Sequence, residues 1–418
     1  YTKFGDAVRN ENAEYALVVD KKEDLAGLPD VVVAAAAAAA KERKMEGKWT
    51  FHLVRSSITP FLQNAKNREL RKQIYTAYTK RGANGDARDT RATIKEIVKL
   101  RAQRAKMLGF ATHGHYNTDR NMAKTPEAVQ ELLTKLWTDA VKKANAERKE
   151  LQAMLRKDLG RKAKLEPWDW WYYAEKVRKA KYDLSEDELK PYFQVDAVRQ
   201  GAFDVASRLF GITFEEVTSK VPTYHPEVKA FDVKNADGSH VGLLYVDYHP
   251  RAGKRGGAWM TEFRTQSNRA DDGRKRPVVL NVGNFPAPAG DKPALLGWDE
   301  VETLFHEFGH ALHGLLSNVD YASQAGTAVK RDYVEFPSQV LENWASEPSV
   351  IRGYAKHYKT GEPIPEALVQ KIQKASTFNQ GFAMTELVGA ALLDQACMQP
   401  TLTPPRPLPT SRPLMPPR

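Results

Sequence analysis

The segment 305–313, Phe-His-Glu-Phe-Gly-His-Ala-Leu-His, constrains the fold most strongly, because it holds the only His-Glu-x-x-His arrangement in the sequence. Apolar residues recur around it at helical spacing, which predicts a helix that begins near Trp298 and Asp299 and buries one face. This apolar stripe comprises Val301, Leu304, Phe305, Phe308, Leu312 and Leu315. On such a helix His306 and His310 lie one turn apart with Cβ atoms roughly 6 Å apart, so both imidazoles can reach one metal ion.

The His-Glu-x-x-His spacing is typical of zinc sites in which the two histidines coordinate the ion. Glu307 points about 100° away from His306 around the helix, so it suits a general base that contacts water beside the metal. His313 follows His310 by three residues, and we assign it to packing or to support of the ligands rather than to coordination. The sequence therefore predicts one Zn²⁺ ion per chain and indicates two of its ligands.

A catalytic zinc ion takes three protein ligands and keeps one position open, so a third ligand must lie elsewhere in the chain. The metzincin pattern requires glycine at position 313 and histidine at 316, whereas His313 and Leu316 stand there. Spacing does not choose among the acidic candidates downstream, which are Asp320, Asp332, Glu335, Glu342 and Glu347. Glu302 precedes His306 by one helical turn and shares its face, so we expect its carboxylate to accept the free ring N–H of a ligating imidazole.

The composition is that of a globular protein, since 42% of the 418 residues are hydrophobic, enough for one large core or two to three domains. Cys397 is the only cysteine, which excludes an internal disulfide and fits a reducing compartment. The first residues lack the basic-then-apolar pattern of a signal peptide. The longest apolar run, 31–40, is too short to span a bilayer. We therefore expect a cytoplasmic protein with no membrane partner.

Lysine and arginine exceed aspartate and glutamate by 11 charges, and a surplus of this kind is shared by many nucleic-acid-binding proteins. In this chain the basic residues are spread along the sequence and mixed with acidic ones, and no nucleic-acid-binding module is recognisable. We therefore interpret the surplus as a basic surface and expect no nucleic-acid partner.

The hydrophobic pattern changes along the chain and predicts three regions. Residues 1–223 have the spacing of consecutive helices. Residues 224–399 begin with the alternation typical of strands and continue into the helix that carries His306. Residues 400–418 contain eight prolines and no acidic residue, which predicts an extended tail. The predicted fold class is mainly α, a multi-helical zincin-type fold with a small antiparallel β-sheet beside the His-Glu-x-x-His helix.

Within these regions, periodicity predicts helices at 29–40, 67–79, 90–108, 126–158, 168–182, 185–191 and 196–209, and strands at 228–233, 241–248, 256–260 and 277–282. Two segments also have a functional interpretation. The aromatic cluster at 168–173 is interpreted as core rather than as a platform for substrate. The start of one strand comprises Gly256, Gly257, Ala258 and Trp259. This strand is compatible both with an edge that binds an extended peptide substrate and with an ordinary strand of the sheet.

Four stretches carry a family resemblance: Leu-Glu-Pro-Trp-Asp-Trp-Trp-Tyr-Tyr-Ala-Glu-Lys at 165–176, Phe-His-Glu-Phe-Gly-His at 305–310, Arg-Asp-Tyr-Val-Glu-Phe-Pro-Ser-Gln at 331–339, and Phe-Asn-Gln-Gly-Phe-Ala at 378–383. With them, the chain resembles the thimet-oligopeptidase-like zinc peptidases over residues 1–396. The first stretch favours the bacterial peptidyl-dipeptidase (dipeptidyl carboxypeptidase) branch over the endopeptidases of the same family.

The resemblance implies that Glu335 is the third zinc ligand and that Glu302 supports the ligands, and we place Glu342 beside it. It also implies a prolate, mostly helical fold whose two halves enclose a deep channel for short unstructured peptides. The expected activity is zinc-dependent hydrolysis of such peptides with release of C-terminal dipeptides, and Glu307 acts as the base. An oligopeptidase of the endopeptidase type is the alternative within the family.

The chain departs from the family pattern at both ends. Family members continue with a Gly-rich loop, a histidine and several tyrosines that bind substrate and stabilise the oxyanion, whereas the last tyrosine here is Tyr358 and the last histidine is His357. The chain also begins inside the family's sequence. A further hypothesis is therefore a truncated, catalytically weak or inactive fragment that binds zinc and peptide. The oligomeric state stays open, with a monomer favoured.

Overall fold

The computed structural model describes residues 1–182, 186–251, 254–271, 273–288 and 293–399. The predicted helices are present with small differences at their ends, while residue 185 and the predicted tail at 400–418 lie outside the described residues. Within the described ranges, no helix is both long enough and apolar enough to cross a lipid bilayer. The α-helices are α1 Thr2–Glu14, α2 Asp30–Glu42, α3 Arg55–Asn64, α4 Arg68–Thr79, α5 Arg91–Met107, α6 His113–Thr118, α7 Pro126–Leu159, α8 Trp170–Tyr182, α9 Glu186–Leu189, α10 Val195–Phe210, α11 Trp298–Leu315, α12 Glu335–Glu342, α13 Pro348–Tyr354, α14 Glu366–Ala375 and α15 Gln380–Met398.

Side-chain caps explain where two of these helices begin. Thr125 Oγ1 accepts a hydrogen bond from the Ala128 N–H at 3.2 Å at the start of α7. Asn67 Oδ1 accepts hydrogen bonds from the N–H groups of Glu69 and Leu70 at 3.1 and 3.2 Å at the start of α4. These N–H groups have no partner inside their own helix, so a capping side chain stabilises the helix end at that residue.

The strands form three sheets. β1 pairs with β2, β7 pairs with β8, and the remaining five strands form one sheet in the order β3-β4-β5-β9-β6. In that sheet β9 runs parallel to β5 and antiparallel to β6. The strands are β1 Leu17–Val19, β2 Trp49–Phe51, β3 Thr213–Glu216, β4 Lys229–Lys234, β5 His240–Asp247, β6 Trp259–Arg264, β7 Ser267–Arg269, β8 Gly273–Lys275 and β9 Val278–Val282.

The sheets correct two expectations. The sheet near the motif helix is mixed rather than antiparallel, because β9 inserts between β5 and β6 and lies parallel to β5. Hairpin signals report only neighbours in sequence, so they do not reveal such an insertion. Residues 1–223 are not purely helical, since β1, β2 and β3 lie there. These strands have three or four residues each, too few for a clear alternating pattern.

The chain divides into two compact units, and the division does not fall at residue 223. The first unit comprises Tyr1–Tyr182 together with residues 377–399, and the second comprises Asp183–Ser376. The first unit is therefore discontinuous, because α15 packs along α7. Glu147 of α7 accepts hydrogen bonds from the N–H groups of Gly381 and Phe382 at 3.0 and 2.9 Å. These N–H groups lie in the first turn of α15 and have no partner inside that helix, so Glu147 caps it.

The aromatic cluster at 168–173 belongs to the core of the first unit, which confirms its structural interpretation. Trp170 stacks on Phe382 with ring centroids 4.4 Å apart and donates its indole N–H to Asn379 Oδ1 at 3.0 Å. Tyr173 is buried in the same cluster. These contacts join α8 to the start of α15.

The second unit holds α11 between the five-stranded sheet and α10. The predicted apolar stripe of α11 is buried, and Phe305 has no exposed surface. Phe203 of α10 lies against Phe308 with centroids 5.4 Å apart, while β9 and β6 pack on the sheet side of the helix. These contacts bury the apolar stripe of α11, whereas His306 and Glu307 of the same helix are only partly buried.

Candidate metal centre

The two motif histidines project from one face of α11. Their ring centroids lie 4.9 Å apart, and the ring planes are nearly perpendicular. His310 is buried and His306 is partly exposed. α12 packs against this part of α11, so the side chains of α12 decide what the imidazoles contact.

Glu335, the first residue of α12, places its carboxylate between the two rings. Its Oε2 lies 3.2 Å from His306 Nε2 and 3.1 Å from His310 Nε2. Ligand atoms of the three residues all lie within 4.8 Å of one another. The Ser338 hydroxyl donates a hydrogen bond to the same Glu335 oxygen at 3.0 Å, which restrains the carboxylate. Among the described residues, this cluster does not include the other acidic candidates for the third ligand, Asp320, Asp332, Glu342 and Glu347.

Glu342, at the other end of α12, contacts the second nitrogen of His306. The Nδ1–H group of His306 donates a hydrogen bond to Glu342 Oε1 at 2.6 Å, which leaves Nε2 as the nitrogen that faces Glu335. We expected Glu302 to accept such a ring N–H group, whereas at His306 the acceptor is Glu342. Glu302 instead accepts a hydrogen bond from the Trp298 side chain, one turn earlier on the same helix.

Glu307 lies beside the ligand cluster with a carboxyl group that is largely removed from water. Burial raises the pKa of this carboxyl to about 7, His306 opposes the shift, and the charge of Glu335 adds to it. Its Oε2 is buried and has no hydrogen-bond partner among the described residues. A buried carboxylate oxygen without a partner suits a water molecule or a substrate group in the adjacent pocket.

Burial also shifts the pKa values of the ligand His310 and of two neighbouring groups, Glu302 and His313. Burial raises the pKa of Glu302 to about 7, and the charges of Asp299 and Glu342 add to this shift. Burial lowers the pKa values of His310 and His313, which favours neutral imidazoles. His313 lies outside the ligand cluster of the described chain, in keeping with its assignment to packing or support.

A pocket of about 380 Å³ opens beside the ligands, lined by Ala258, Asp299, Glu302, Thr303, His306, Glu307 and Glu342. Ala258 reaches the pocket from the segment that leads into β6. β6 is one of the two edge strands of the described sheet and begins at Trp259. Gly256 and Gly257 precede the strand, and Gly257 has a φ of +90° that an extended strand does not accommodate.

The residues present fit a metal ion of the predicted kind. Two imidazole nitrogens and one carboxylate oxygen form a donor set that suits zinc and related transition metals. The three ligand atoms converge from α11 and α12, and the pocket with the unpartnered Glu307 oxygen lies to one side. That side is available to a water molecule or a substrate.

The structure adds three supporting residues that the sequence analysis did not single out. Ser338 restrains Glu335, and its spacing of three residues from Glu335 on a helix was the available signal. The Asn281 side-chain amide donates a hydrogen bond to the backbone oxygen of Glu307 at 2.8 Å and fastens α11 to β9. A polar residue inside the apolar run of β9 was the signal there. Gly309 allows α12 to approach α11 closely.

Comparison with known proteins agrees with this geometry. The model of peptidase family M3 matches residues 61–401. A dipeptidyl carboxypeptidase of Escherichia coli (strain K12) is 42% identical over 394 residues, which cover 94% of this chain and 57% of that protein. The dipeptidyl carboxypeptidase of Salmonella typhimurium (strain LT2) is 43% identical, with 90% of this chain and 55% of that protein covered. Oligopeptidase A of the same Salmonella strain is 37% identical, with 94% of this chain and 58% of that protein covered.

The chain thus spans a little over half the length of these curated relatives. The family match itself covers most of the chain and includes α11 and α12 with all three candidate ligands. This confirms the resemblance indicated by the sequence motifs, and the chain belongs to peptidase family M3.

Proposed function

We propose that the chain is a zinc-dependent peptidase that hydrolyses short unstructured peptides and releases dipeptides from their C-terminal ends. One Zn²⁺ ion per chain would be held by His306, His310 and Glu335. The observation that carries this proposal is the convergence of both histidine Nε2 atoms on Glu335 Oε2 at 3.2 and 3.1 Å. The relatives named dipeptidyl carboxypeptidase, at 42% and 43% identity, support the dipeptide-releasing form.

A zinc ion held by these residues would supply Lewis-acid chemistry, which polarises a carbonyl group and lowers the pKa of water toward neutral pH. Glu307 accepts the proton of the attacking water and returns it to the amine that leaves. Both transfers need a carboxyl group that gains and loses a proton easily near neutral pH. Glu307 offers a carboxylate oxygen, Oε2, that is buried and has no hydrogen-bond partner among the described residues of the metal-free site.

Two contacts keep the ligand atoms in place before substrate arrives. Glu342 accepts the Nδ1–H of His306 and thereby sets the orientation of that ring. Ser338 donates to Glu335 Oε2 and restrains the carboxylate. Groups held in advance in this way need little rearrangement during the reaction, so they stabilise the transition state more effectively.

The edge strand β6 offers a place for the peptide itself. Its outer side has no strand neighbour in the described sheet, and Ala258 lines the pocket that contains Glu307. An extended peptide can add to such an edge through backbone hydrogen bonds, which bind any sequence. This supports the edge interpretation of the segment that comprises Gly256, Gly257, Ala258 and Trp259.

The proposal is tested with N-acetyl-pentaalanine, which ends in a free carboxylate. We expect the zinc-loaded chain to release Ala-Ala, detected by mass spectrometry, and the Glu307→Gln variant to bind zinc equally well and release none. The same peptide with an amidated C-terminus should not be cleaved. A chain that takes up no zinc would overturn the metal assignment.

Two other results would point to the alternatives. Cleavage of the amidated peptide at internal bonds would favour an endopeptidase, a form supported by the 37% identity to oligopeptidase A. Zinc binding at one equivalent with no product from either peptide would instead identify a fragment that binds metal and peptide without turnover.

A further inference from the structure

The backbone of β9 changes its hydrogen-bonding partner where the strand ends. Pairing between β6 and β9 stops at Trp259 and Val282. The next N–H group, that of Gly283, donates to the Asp247 oxygen of β5 at 2.8 Å and so turns away from β6. Among the described residues, the segment 255–258 that leads into β6 therefore receives no backbone hydrogen bond from β9.

One side chain supplies hydrogen bonds to this segment in place of β9. The Asn284 amide nitrogen donates hydrogen bonds to the Arg255 oxygen at 2.8 Å and to the Gly257 oxygen at 2.7 Å. A single NH₂ group carries two hydrogens, so it can hold the carbonyl groups on both sides of Gly256 at once. Ala258, the next residue, lines the pocket beside His306 and Glu307.

The other end of the loop is held independently. Asp247 is buried and accepts hydrogen bonds from Arg251 and Lys254 at 2.7 and 2.9 Å. Lys254 also donates to the His249 oxygen at 2.8 Å. These contacts hold Arg251 and Lys254 to the end of β5. The final part, with Gly256 and Gly257, depends on Asn284.

The two glycines make the segment especially dependent on the hydrogen bonds from Asn284. Without a Cβ atom, Gly256 and Gly257 have access to many backbone conformations, and a Cβ built at either position meets no atom within 4 Å. A free segment of this kind must be ordered when a peptide binds, which weakens binding. Two hydrogen bonds from the Asn284 side chain order it beforehand.

We propose that Asn284 is a positioning residue for peptide binding, which holds segment 255–258 in the conformation that presents the edge of β6 to an extended peptide. The inference rests on the proposed peptidase function. It assigns Asn284 no contact with the reacting atoms, so its loss affects substrate binding more than turnover.

The test uses Asn284→Asp, which keeps the shape of the side chain and removes both N–H donors, and Asn284→Ala, which removes the side chain. With N-acetyl-pentaalanine we expect both variants to raise KM about tenfold, as the loss of two hydrogen bonds allows, and to keep kcat within about threefold. Zinc affinity should not change. Asn235→Ala is the matched control, since that amide donates to Ser239 Oγ at 2.9 Å in an exposed turn. An unchanged KM in Asn284→Asp would overturn the proposal.

A binding measurement separates this proposal from the peptidase function. Calorimetry compares N-acetyl-pentaalanine binding to zinc-loaded Glu307→Gln and to the double variant Glu307→Gln/Asn284→Asp. About tenfold weaker binding by the double variant supports the positioning role even if the unmodified chain releases no dipeptide. Equal binding by both variants, or no binding by Glu307→Gln itself, refutes the positioning role whether or not the unmodified chain is active.

Discussion

Gly309 and Ser338 lie so close together that a Cβ atom on Gly309 would stand 2.6 Å from Ser338 Cα and 2.9 Å from the Pro337 oxygen. Both obstacles are backbone atoms of α12, so no side-chain rotation relieves the clash. Glycine inside the His-Glu-x-x-His motif therefore allows α12 to approach α11, and this approach brings Glu335 within reach of both histidines.

Substitution of Gly309 by alanine should separate the two helices. We expect Gly309→Ala to lower the free energy of unfolding by about 1–3 kcal/mol, as overpacking typically does, and to weaken zinc binding as Glu335 withdraws. Thermal unfolding of the metal-free chain and competition with a chelator measure the two effects. Gly353→Ala in α13 is the control, because its new Cβ meets no atom within 4 Å. Unchanged zinc affinity in Gly309→Ala would contradict the role of the close approach.

The two glutamates of α12 should differ in how strongly they affect the metal. Glu335→Ala removes a proposed ligand and should abolish tight zinc binding. Glu342→Ala removes the partner of His306 Nδ1 and should weaken zinc binding about 10- to 100-fold, which is usual for such supporting contacts. Asp320→Ala, at an exposed acidic residue outside the cluster, should change nothing. Competition with a chelator measures the zinc affinity of the three variants. A larger loss of affinity in Glu342→Ala than in Glu335→Ala would identify Glu342 as the ligand and Glu335 as the supporting residue.

Glu302 should make the stability of the metal-free chain depend on pH. Burial raises its pKa from 4.5 to about 7, so between these values the native state binds more protons than the unfolded chain. Stability therefore falls as pH rises through this window. We expect Glu302→Gln to raise Tm at pH 8 and to leave it unchanged at pH 4, because the carboxyl is neutral in both states there.

The control for this pH effect is Glu366→Gln. Hydrogen bonds from Arg352 lower the pKa of the Glu366 carboxyl, so its contribution to stability has the opposite sign and is lost as pH falls. Glu366→Gln should give no gain in Tm at pH 8. A gain for Glu302→Gln that is equal at pH 4 and pH 8 would show that ionisation is not its cause.

The buried ion pairs of Asp169 should dominate the stability of the first unit. Asp169 has no exposed surface and accepts hydrogen bonds from Arg68 at 2.6 Å and from the buried Arg71 at 2.9 Å. Asp169→Ala leaves a buried guanidinium without its carboxylate, a change that typically costs about 3–5 kcal/mol. Asp158→Ala, which breaks the more exposed pair with Lys176, should cost at most about 1 kcal/mol. Denaturant titration measures the free energy of unfolding of both variants. Equal losses of stability would show that burial does not make the Asp169 ion pairs more important than the exposed pair.

Sequence patterns located the main elements of the site because those patterns are local. The apolar stripe around Phe305 and Phe308 predicted α11 and its buried face, and the structure confirms both. The same periodicity predicted α7 and its first residue, since Thr125 caps that helix. Each of these features depends on residues within a few turns of one another, so the sequence contains the whole signal.

The features that sequence patterns missed all depend on distant contacts. Spacing left Glu335 and Glu342 as equal candidates, because their distances to His306 depend on how closely α12 packs against α11. The expected contact of Glu302 was not found at His306, because α12 brings Glu342 to the Nδ1 atom of that ring. The insertion of β9 between β5 and β6 has no local signature.

The position of β9 has a consequence for synthesis of the chain. Among the strands of the described residues, β6 pairs only with β9, which follows it in sequence. While the chain emerges from the ribosome, β6 is complete before residues 278–282 appear, so both of its edges are unpaired for that interval. Unpaired strand edges are where nascent chains associate with one another. Substitutions that delay the arrival of β9 should therefore lower the yield of folded protein more than they lower the stability of the protein that does fold.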